Sequence, residues 1–227
     1  MSAADPSFSD LRRALPDLSA ETWRRLEAYG DLLAEPAIPH GLIGFPPERL
    51  PTELARTLLL APLLEDADEV VDVGSGAGLP GIPLAIAGVA SLVLIEPRRQ
   101  ALAFLERVIR DLDLPAVAIG SPAEALGRGP RRERAGAVVA RALAGPAAAA
   151  ELCAPLCRVG GKVVLTARLP PALPGLVLAS LGLEDFRPIE LEGCFDIRQR
   201  AHVAEKVSAT DHRFPRRPGT AHRRPLG

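Results

Sequence analysis

The sequence predicts an α/β chain: a doubly wound, Rossmann-like sheet, mostly parallel, behind a helical N-terminal cap. Three observations lead there. From Glu69 onward, short apolar runs alternate with helical patterns in the order strand, turn, helix, as parallel strands joined by helical crossovers require. A glycine-rich turn follows the first of these strands directly, where open α/β sheets place their ligand sites. Finally, 227 residues, 48% hydrophobic and 24% charged, suffice for one such domain and a small extension, not for two ordinary domains.

Residues 11–35 read as a helical lead-in. Ser19 is placed to cap a helix, with Glu21 in its first turn, and Trp23, Leu26, Tyr29 and Leu33 fall on one face. Between Glu35 and Pro51, prolines at 36, 39, 46, 47 and 51 make a connector. Thr52 is expected to cap the next helix, which runs to about Leu64. EVVDV (69–73) is then a strand, GSGAGLPG (74–81) a turn, and a helix is expected over 83–90. SLVLIE (91–96) is the second strand. The helix after it carries apolar residues at 101/102, 104/105, 108/109 and 112, the clearest amphipathic pattern in the chain. AVAIG (116–120) and AGAVVAR (135–141) are the third and fourth strands, Ala147–Leu156 a helix, and GGKVVLTA (160–167) the fifth strand. A closing antiparallel pair is expected within 194–210. The expected division is a cap over 1–64, a domain over 65–210 and a basic tail over 211–227.

Composition excludes several classes. No run approaches the roughly 20 apolar residues of a membrane span, and the N-terminus has no basic region followed by an apolar one. A cytoplasmic protein, acting away from membranes and as a monomer, is the expectation. The net charge of −1 hides an asymmetry: His212 onward holds five arginines and no acid, which leaves 22 bases against 28 acids before it. A body of −6 thus ends in a tail of +5, a candidate phosphate contact or simply a solvated end. Cys153, Cys157 and Cys194 are an odd number, which argues against a disulfide framework. Cys153 and Cys157 fall on one face of an expected helix, with no second pair or nearby His for a metal, so buried thiols are expected and no metal site is assigned. The histidines (40, 202, 212 and 222) lie away from the glycine turn and are read as surface or tail residues.

The turn Asp72-Val73-Gly74-Ser75-Gly76-Ala77-Gly78-Leu79-Pro80-Gly81 carries the chemistry. Glycine lets the backbone turn tightly and approach a ligand closely. Dinucleotide folds favour G-x-G-x-x-G against a pyrophosphate; this loop is G-x-G-x-G, with Asp72 closing the strand before it. An acid beside a pyrophosphate is unfavourable, whereas it suits a cationic ligand such as S-adenosylmethionine (SAM). Glu96 ends the second strand, where a carboxylate can accept both ribose hydroxyls. SAM binding is the preferred reading; a nicotinamide dinucleotide or a purely structural turn are the alternatives.

The residues also resemble a known family. VDVGSGAGLPGIPLAI is similar to the signature of the RsmG (GidB) methyltransferases, most distinctively in LPGIPLAI. ALAFLERVIRDLDL, the pair Arg141-Ala142 and the closing RAHVAEKVSATDHRFPRRPGTAHRRPL resemble further family stretches in the same order. The likeness extends over about 69–227 and is thin before that. It implies a SAM-methyltransferase sheet and methyl transfer to N7 of a guanine in the decoding-region loop of 16S rRNA, so the small ribosomal subunit is the implied partner.

Position by position, the resemblance implies a cofactor set of Asp72, Gly74, Ser75, Gly76, Gly78, Leu79, Glu96, Ala123, Glu124 and Arg141, with the backbone at Glu124 and its neighbour Ala123 flanking adenine. It makes Arg141 the catalytic-side arginine, which orients the target base or a phosphate or else forms a structural ion pair. It implies RNA contacts at Arg168, Arg200, Lys206, Arg216 and Arg217. The sequence departs from the family where it has Pro122, Ala167 and Gln100-Ala101 in place of basic residues. Two further readings therefore stand beside the methyltransferase: a non-catalytic RNA-binding or assembly protein on the same fold, and a SAM methyltransferase with another substrate.

Overall fold

The computed structural model describes residues 5–35, 42–167 and 172–226. Two helices open the chain, α1 (Phe8–Ala14) and α2 (Ala20–Ala34), followed by α3 (Leu50–Leu58). Ser19 caps α2, its Oγ accepting from Thr22 N at 3.0 Å. Trp23, Leu26, Tyr29 and Leu33 are all buried, as their spacing on one helical face requires. Where the sequence suggests a Thr52 cap, α3 is capped three residues earlier, at Arg49, and begins at Leu50 with Pro51 in its first turn. Proline is tolerated there because the first turn lacks acceptors for its amides. Thr52 instead donates its hydroxyl to Asp5 at 2.9 Å. α3 ends at Leu58, and a separate 3-10 turn at Ala61–Leu63 completes the connection.

The strands are β1 (Glu69–Val73), β2 (Ser91–Ile95), β3 (Ala116–Ile119), β4 (Ala135–Arg141), β5 (Cys157–Thr166), β6 (Arg187–Glu192) and β7 (Arg198–Glu205). Among the described residues they form one seven-stranded sheet in the order β3-β2-β1-β4-β5-β7-β6. β1 to β5 pair in parallel, and β7 and β6 close the edge antiparallel. The doubly wound α/β expectation matches this architecture. The antiparallel pair begins at Arg187, earlier than the expected 194–210; the alternation of half-exposed residues in RPIELE is that of an edge strand.

The remaining helices are α4 (Gly81–Ile86), α5 (Arg99–Asp111), α6 (Ala123–Arg128), α7 (Pro146–Cys153), α8 (Gly175–Leu181) and α9 (Thr220–Arg223). α4 begins two residues before the expected Pro83 and stops at Ile86. α5 buries Ala101, Phe104, Leu105 and Val108, the face its pattern marks. α7 ends at Cys153 and Cys157 opens β5, so the two cysteines do not share a helix face. Both are buried, and burial pushes the Cys157 thiol up to about 12 and the Cys153 thiol up as well, so neither is a thiolate near neutrality.

Strand alternation divides the core. Val70, Ala137 and Val139 face the cap with α2–α5, while Val71, Val73, Val138 and Ala140 face α6–α8 and the closing segment. The basic tail is not a free end. It packs back on α6 and α7, where Arg132 donates to the carbonyls of Phe214 (2.8 Å) and Thr210 (2.6 Å), and Arg128 to that of Pro215 (2.6 Å). No helix among the described residues is long and apolar enough to cross a membrane.

Candidate active site

β1 and β4 are neighbours, yet the chain leaves β1 toward β2 and β4 toward β5, so their carboxyl ends mark the point where strand order reverses. Crossovers diverge there and leave a crevice. The turn after β1 and the Arg141-Ala142 pair after β4 face each other across a cavity of about 400 Å³, with Leu42–Phe45 of the cap connector forming another wall.

Polar contacts hold the turn open. Gly76 adopts φ +57 and donates its N–H to Glu96 Oε2 at 2.9 Å; a Cβ placed there would meet the tip of Arg98 at 3.5 Å and the Gly74 carbonyl at 3.9 Å, both ordinary contact distances. Gly78 serves packing instead, since a Cβ on it would lie 2.3 Å from Ile82. Ser75 Oγ donates to the Asp72 carbonyl at 2.9 Å, and Tyr29 of α2 donates its hydroxyl to the Ala77 carbonyl at 2.7 Å. The cap thereby fixes the back of the loop, a role the sequence showed only as a core position.

Asp72 is fully buried. Its Oδ2 accepts from Gly81 N at 3.0 Å, and its Oδ1 has no hydrogen-bond partner. Burial pushes its carboxyl up to about 7, although the Gly81 hydrogen bond and the nearby Ser75 hydroxyl pull the other way. Glu96, 2% exposed, behaves oppositely. Burial raises it, but the bonds from Arg98 and Gly76 outweigh that and hold it below the usual carboxylate range. Its Oε1 accepts from Arg98 N at 2.9 Å and Nε at 3.0 Å, and its Oε2 from Arg98 Nη2 at 3.2 Å. In this structure the Arg98 guanidinium covers the carboxylate expected to accept two ribose hydroxyls. That side chain is 61% exposed and has room to swing aside.

Arg141 joins this cavity to a second, of about 640 Å³, in which Arg49, Arg56, Arg198 and Arg200 also stand, together with Glu53 and Glu190. Arg141 bonds Glu53 of α3, and Arg200 bonds Glu190. Two predicted RNA contacts lie elsewhere. Lys206 is fully buried, its Nζ donating to Glu133 Oε1 at 2.9 Å and to the Ser208 carbonyl at 2.5 Å. Arg216 donates from its backbone N, Nε and Nη2 to the fully buried Glu151. Both are internal ion pairs, since a desolvated charge must be matched where it is buried. Arg217 is exposed on the closing segment, and Arg168 and His40 lie outside the described residues.

Ala123 and Glu124 begin α6, both buried; the Glu124 carboxylate accepts from Gly219 N at 2.8 Å and so ties down the tail. The carboxylate is thus a tail anchor, which leaves the backbone at Ala123 and Glu124 as the part of this stretch expected beside adenine. His202, expected at the surface, is 1% exposed, with Nε2 3.2 Å from the Ala167 carbonyl. Burial lowers its pKa. Glu53, Arg49, Arg56 and Arg198 were not singled out from sequence. The available signal was the Glu53–Arg56 pair at i, i+3, the two charged residues of a helix that is otherwise apolar apart from two threonines. Among the described residues no cluster of three or more His, Cys, Asp or Glu is arranged to hold a metal ion.

Comparison with known proteins adds an independent line. The sequence model of the GidB family, rRNA small subunit methyltransferase G, matches residues 22–167. The match reaches back well before residue 69, into a region where the motifs alone showed little likeness, and stops ahead of the closing segment. Ribosomal RNA small subunit methyltransferase G of Pelotomaculum thermopropionicum is 41% identical over 75% of this chain and 74% of its own length. The protein of the same name from Clostridium novyi is 33% identical over 72% and 70%. Among solved structures, the branched-chain polyamine synthase of Thermus thermophilus superposes with a TM-score of 0.55 at 17% identity, covering 93% of this chain and 70% of that one; at that identity the likeness is one of fold.

Proposed function

The chain belongs to the rRNA small subunit methyltransferase G family, and we propose that it methylates N7 of a guanine in the decoding-region loop of 16S rRNA, as a monomeric cytoplasmic enzyme. The observation that carries this reading is the single wall shared by two cavities: Arg141 lines both the glycine-turn cavity and the arginine-rich one. A cofactor site and a phosphate-rich substrate site have to meet in this way for transfer between them.

The residues fit SAM. The turn is open at Gly76, and two carboxylates, Asp72 with an unpartnered oxygen and Glu96 behind Arg98, stand at the strand ends. Both favour a cationic ligand. Gly74, Ser75, Gly76, Ala77 and Leu79 would line the cofactor's cavity, and Glu96 would take the ribose once Arg98 moves. When bound, SAM supplies a methyl carbon whose bond to sulfur breaks as an acceptor lone pair takes it, the bonding pair returning to a neutral thioether. Guanine N7 offers such a lone pair and carries no proton, so the chain needs no general base. Its residues have to align the base and exclude water; Arg141 orients the base or its phosphate, and the cap connector at Leu42–Phe45 closes the other side.

Arg49, Arg56, Arg198 and Arg200 supply the electrostatic part of RNA binding, which positions without reading sequence. In this reading the cap over 1–64 contributes to both cavities, the domain over 65–210 carries the loop, and the tail over 211–227 is chiefly a strap. The test is transfer of labelled methyl from SAM to small subunits from a strain lacking the N7 modification, with the label mapped. Label at the single decoding-loop guanine is expected. Label elsewhere would assign a different substrate, and bound SAM without any label would defeat the reading.

A further inference from the structure

Glu53 is a charged side chain whose burial needs a reason. It lies on α3 at 4% exposure, one residue from the core leucine Leu54. Its carboxylate gathers three arginines. Oε2 accepts from Arg141, Oε1 accepts from Arg56 Nη1 at 2.6 Å, and Arg49 Nη2 lies 3.5 Å from Oε1. All four side chains line the arginine-rich cavity. Arg141 reaches this point from the end of β4 with 22% of its side chain exposed, and among the described residues Glu53 is its one side-chain hydrogen-bond partner. A guanidinium has five N–H donors, so most of them are left for a bound molecule.

We propose that Glu53 is a positioning residue for methyl transfer: it holds the Arg141 guanidinium at the wall shared by the two cavities, so that a nucleotide in the arginine-rich cavity presents its acceptor atom to the cofactor cavity. The inference rests on the function proposed above. Two forces act on Arg141 and both need Glu53. Arg49 and Arg56 repel it, as does any cationic ligand in the cofactor cavity, and a long side chain so placed escapes to solvent unless an anion fixes it. Glu53 supplies that anion from the cap side, on a helix whose packing sets its position. The helical cap is therefore a working part of the transferase site. Because a misplacement of about 1 Å costs on the order of 100-fold in rate, losing this anchor shows in the transfer step and not in cofactor affinity.

The test compares the wild-type chain with Glu53→Gln, Glu53→Asp, Arg141→Ala and the Glu53→Gln/Arg141→Ala double variant. Single-turnover methyl transfer is measured on the unmodified small subunits at saturating SAM, beside SAM affinity by calorimetry and thermal unfolding. Glu53→Gln is expected to slow transfer on the order of 10- to 100-fold while SAM affinity stays within about twofold. Added to Arg141→Ala, it should cost no more than about twofold further, because the two act as one unit. Glu53→Asp keeps the charge and draws it back by one methylene, and should slow transfer in an intact fold. Equal fractional losses with and without Arg141, or SAM affinity falling in parallel, would make Glu53 a fold element alone. A wild-type chain that transfers no methyl group overturns the proposed function and this inference with it. A wild type that transfers, matched by both Glu53 variants, overturns this inference only.

Discussion

Arg216→Ala is expected to destabilise the chain severely, although the residue lies near the C-terminus in a segment that reads as a solvated basic tail. Glu151 is 0% exposed on α7, and Arg216 meets both of its oxygens: Nε at 2.8 and 3.0 Å, Nη2 at 2.5 Å, and the backbone N at 2.9 Å. Arg216 Nη2 also donates to the Arg224 carbonyl at 2.7 Å. Removing one partner of a buried pair strands the other charge at a cost of about 3–5 kcal/mol. The Arg216 side chain keeps 26% exposure, so water can partly replace it and the lower end, about 3 kcal/mol, applies. For a chain of this size each kcal/mol moves the melting temperature by roughly 2–4 °C, or about 6–12 °C in all. Urea and thermal unfolding followed by circular dichroism would measure it. Glu151→Leu combined with Arg216→Ala removes the stranded carboxylate and should recover more than half of the loss. A loss below about 1 kcal/mol, the range of a surface pair, or a double variant worse than the single one, would refute the reasoning.

Three further outcomes are expected. Asp72 sits at about 7 in the folded chain against an ordinary 3.8; both states hold the proton below 3.8, and folding stability is lost as pH rises through about 7, by at most about 4 kcal/mol. Asp72→Asn should therefore gain about 3 kcal/mol on wild type between pH 5 and 8.5 in urea unfolding without SAM, and a difference independent of pH would contradict the burial of that charge. Glu96→Ala should weaken SAM binding about 10- to 100-fold, the worth of one or two hydrogen bonds to a charged group; calorimetry showing unchanged affinity would remove Glu96 from the site. Arg198→Ala with Arg200→Ala should lower the slope of log affinity for rRNA against log salt by up to about 1.4, whereas Lys206→Met, which removes a buried ammonium, should cost stability and leave the slope alone. A slope change for Lys206→Met would return that residue to the RNA surface.

The sheet was legible from Glu69 to Thr166 because each buried parallel strand is a short apolar run bounded by turn residues, and the helices between them repeat at 3.6 residues. Boundaries were harder where proline sits inside a first turn, as at Pro51, or where an edge strand is half-exposed, as over Arg187–Glu192. The helix Ala123–Arg128 went unmarked because six residues carry too little periodicity. The glycine turn with Asp72, and Glu96 at the end of β2, declared themselves by sequence order alone, since a βα turn and the strand ends beside it are local in the chain.

Charge was the property the sequence could not place. Lys206, Arg216 and Arg200 are alike as basic residues near the end of the chain, yet one is buried on Glu133, one is clamped to Glu151, and one borders the arginine-rich cavity. The partners are 73, 65 and 10 residues away, and an ion pair is set by proximity in space, not by spacing along the chain. Glu53 and Arg141, 88 residues apart, meet for the same reason. By itself the sequence determined the fold class, the family and the glycine-rich turn after the first strand, because these are written in local pattern. Only the tertiary structure decided which charges face a ligand and which hold the chain together, because that depends on what burial leaves each of them to pair with.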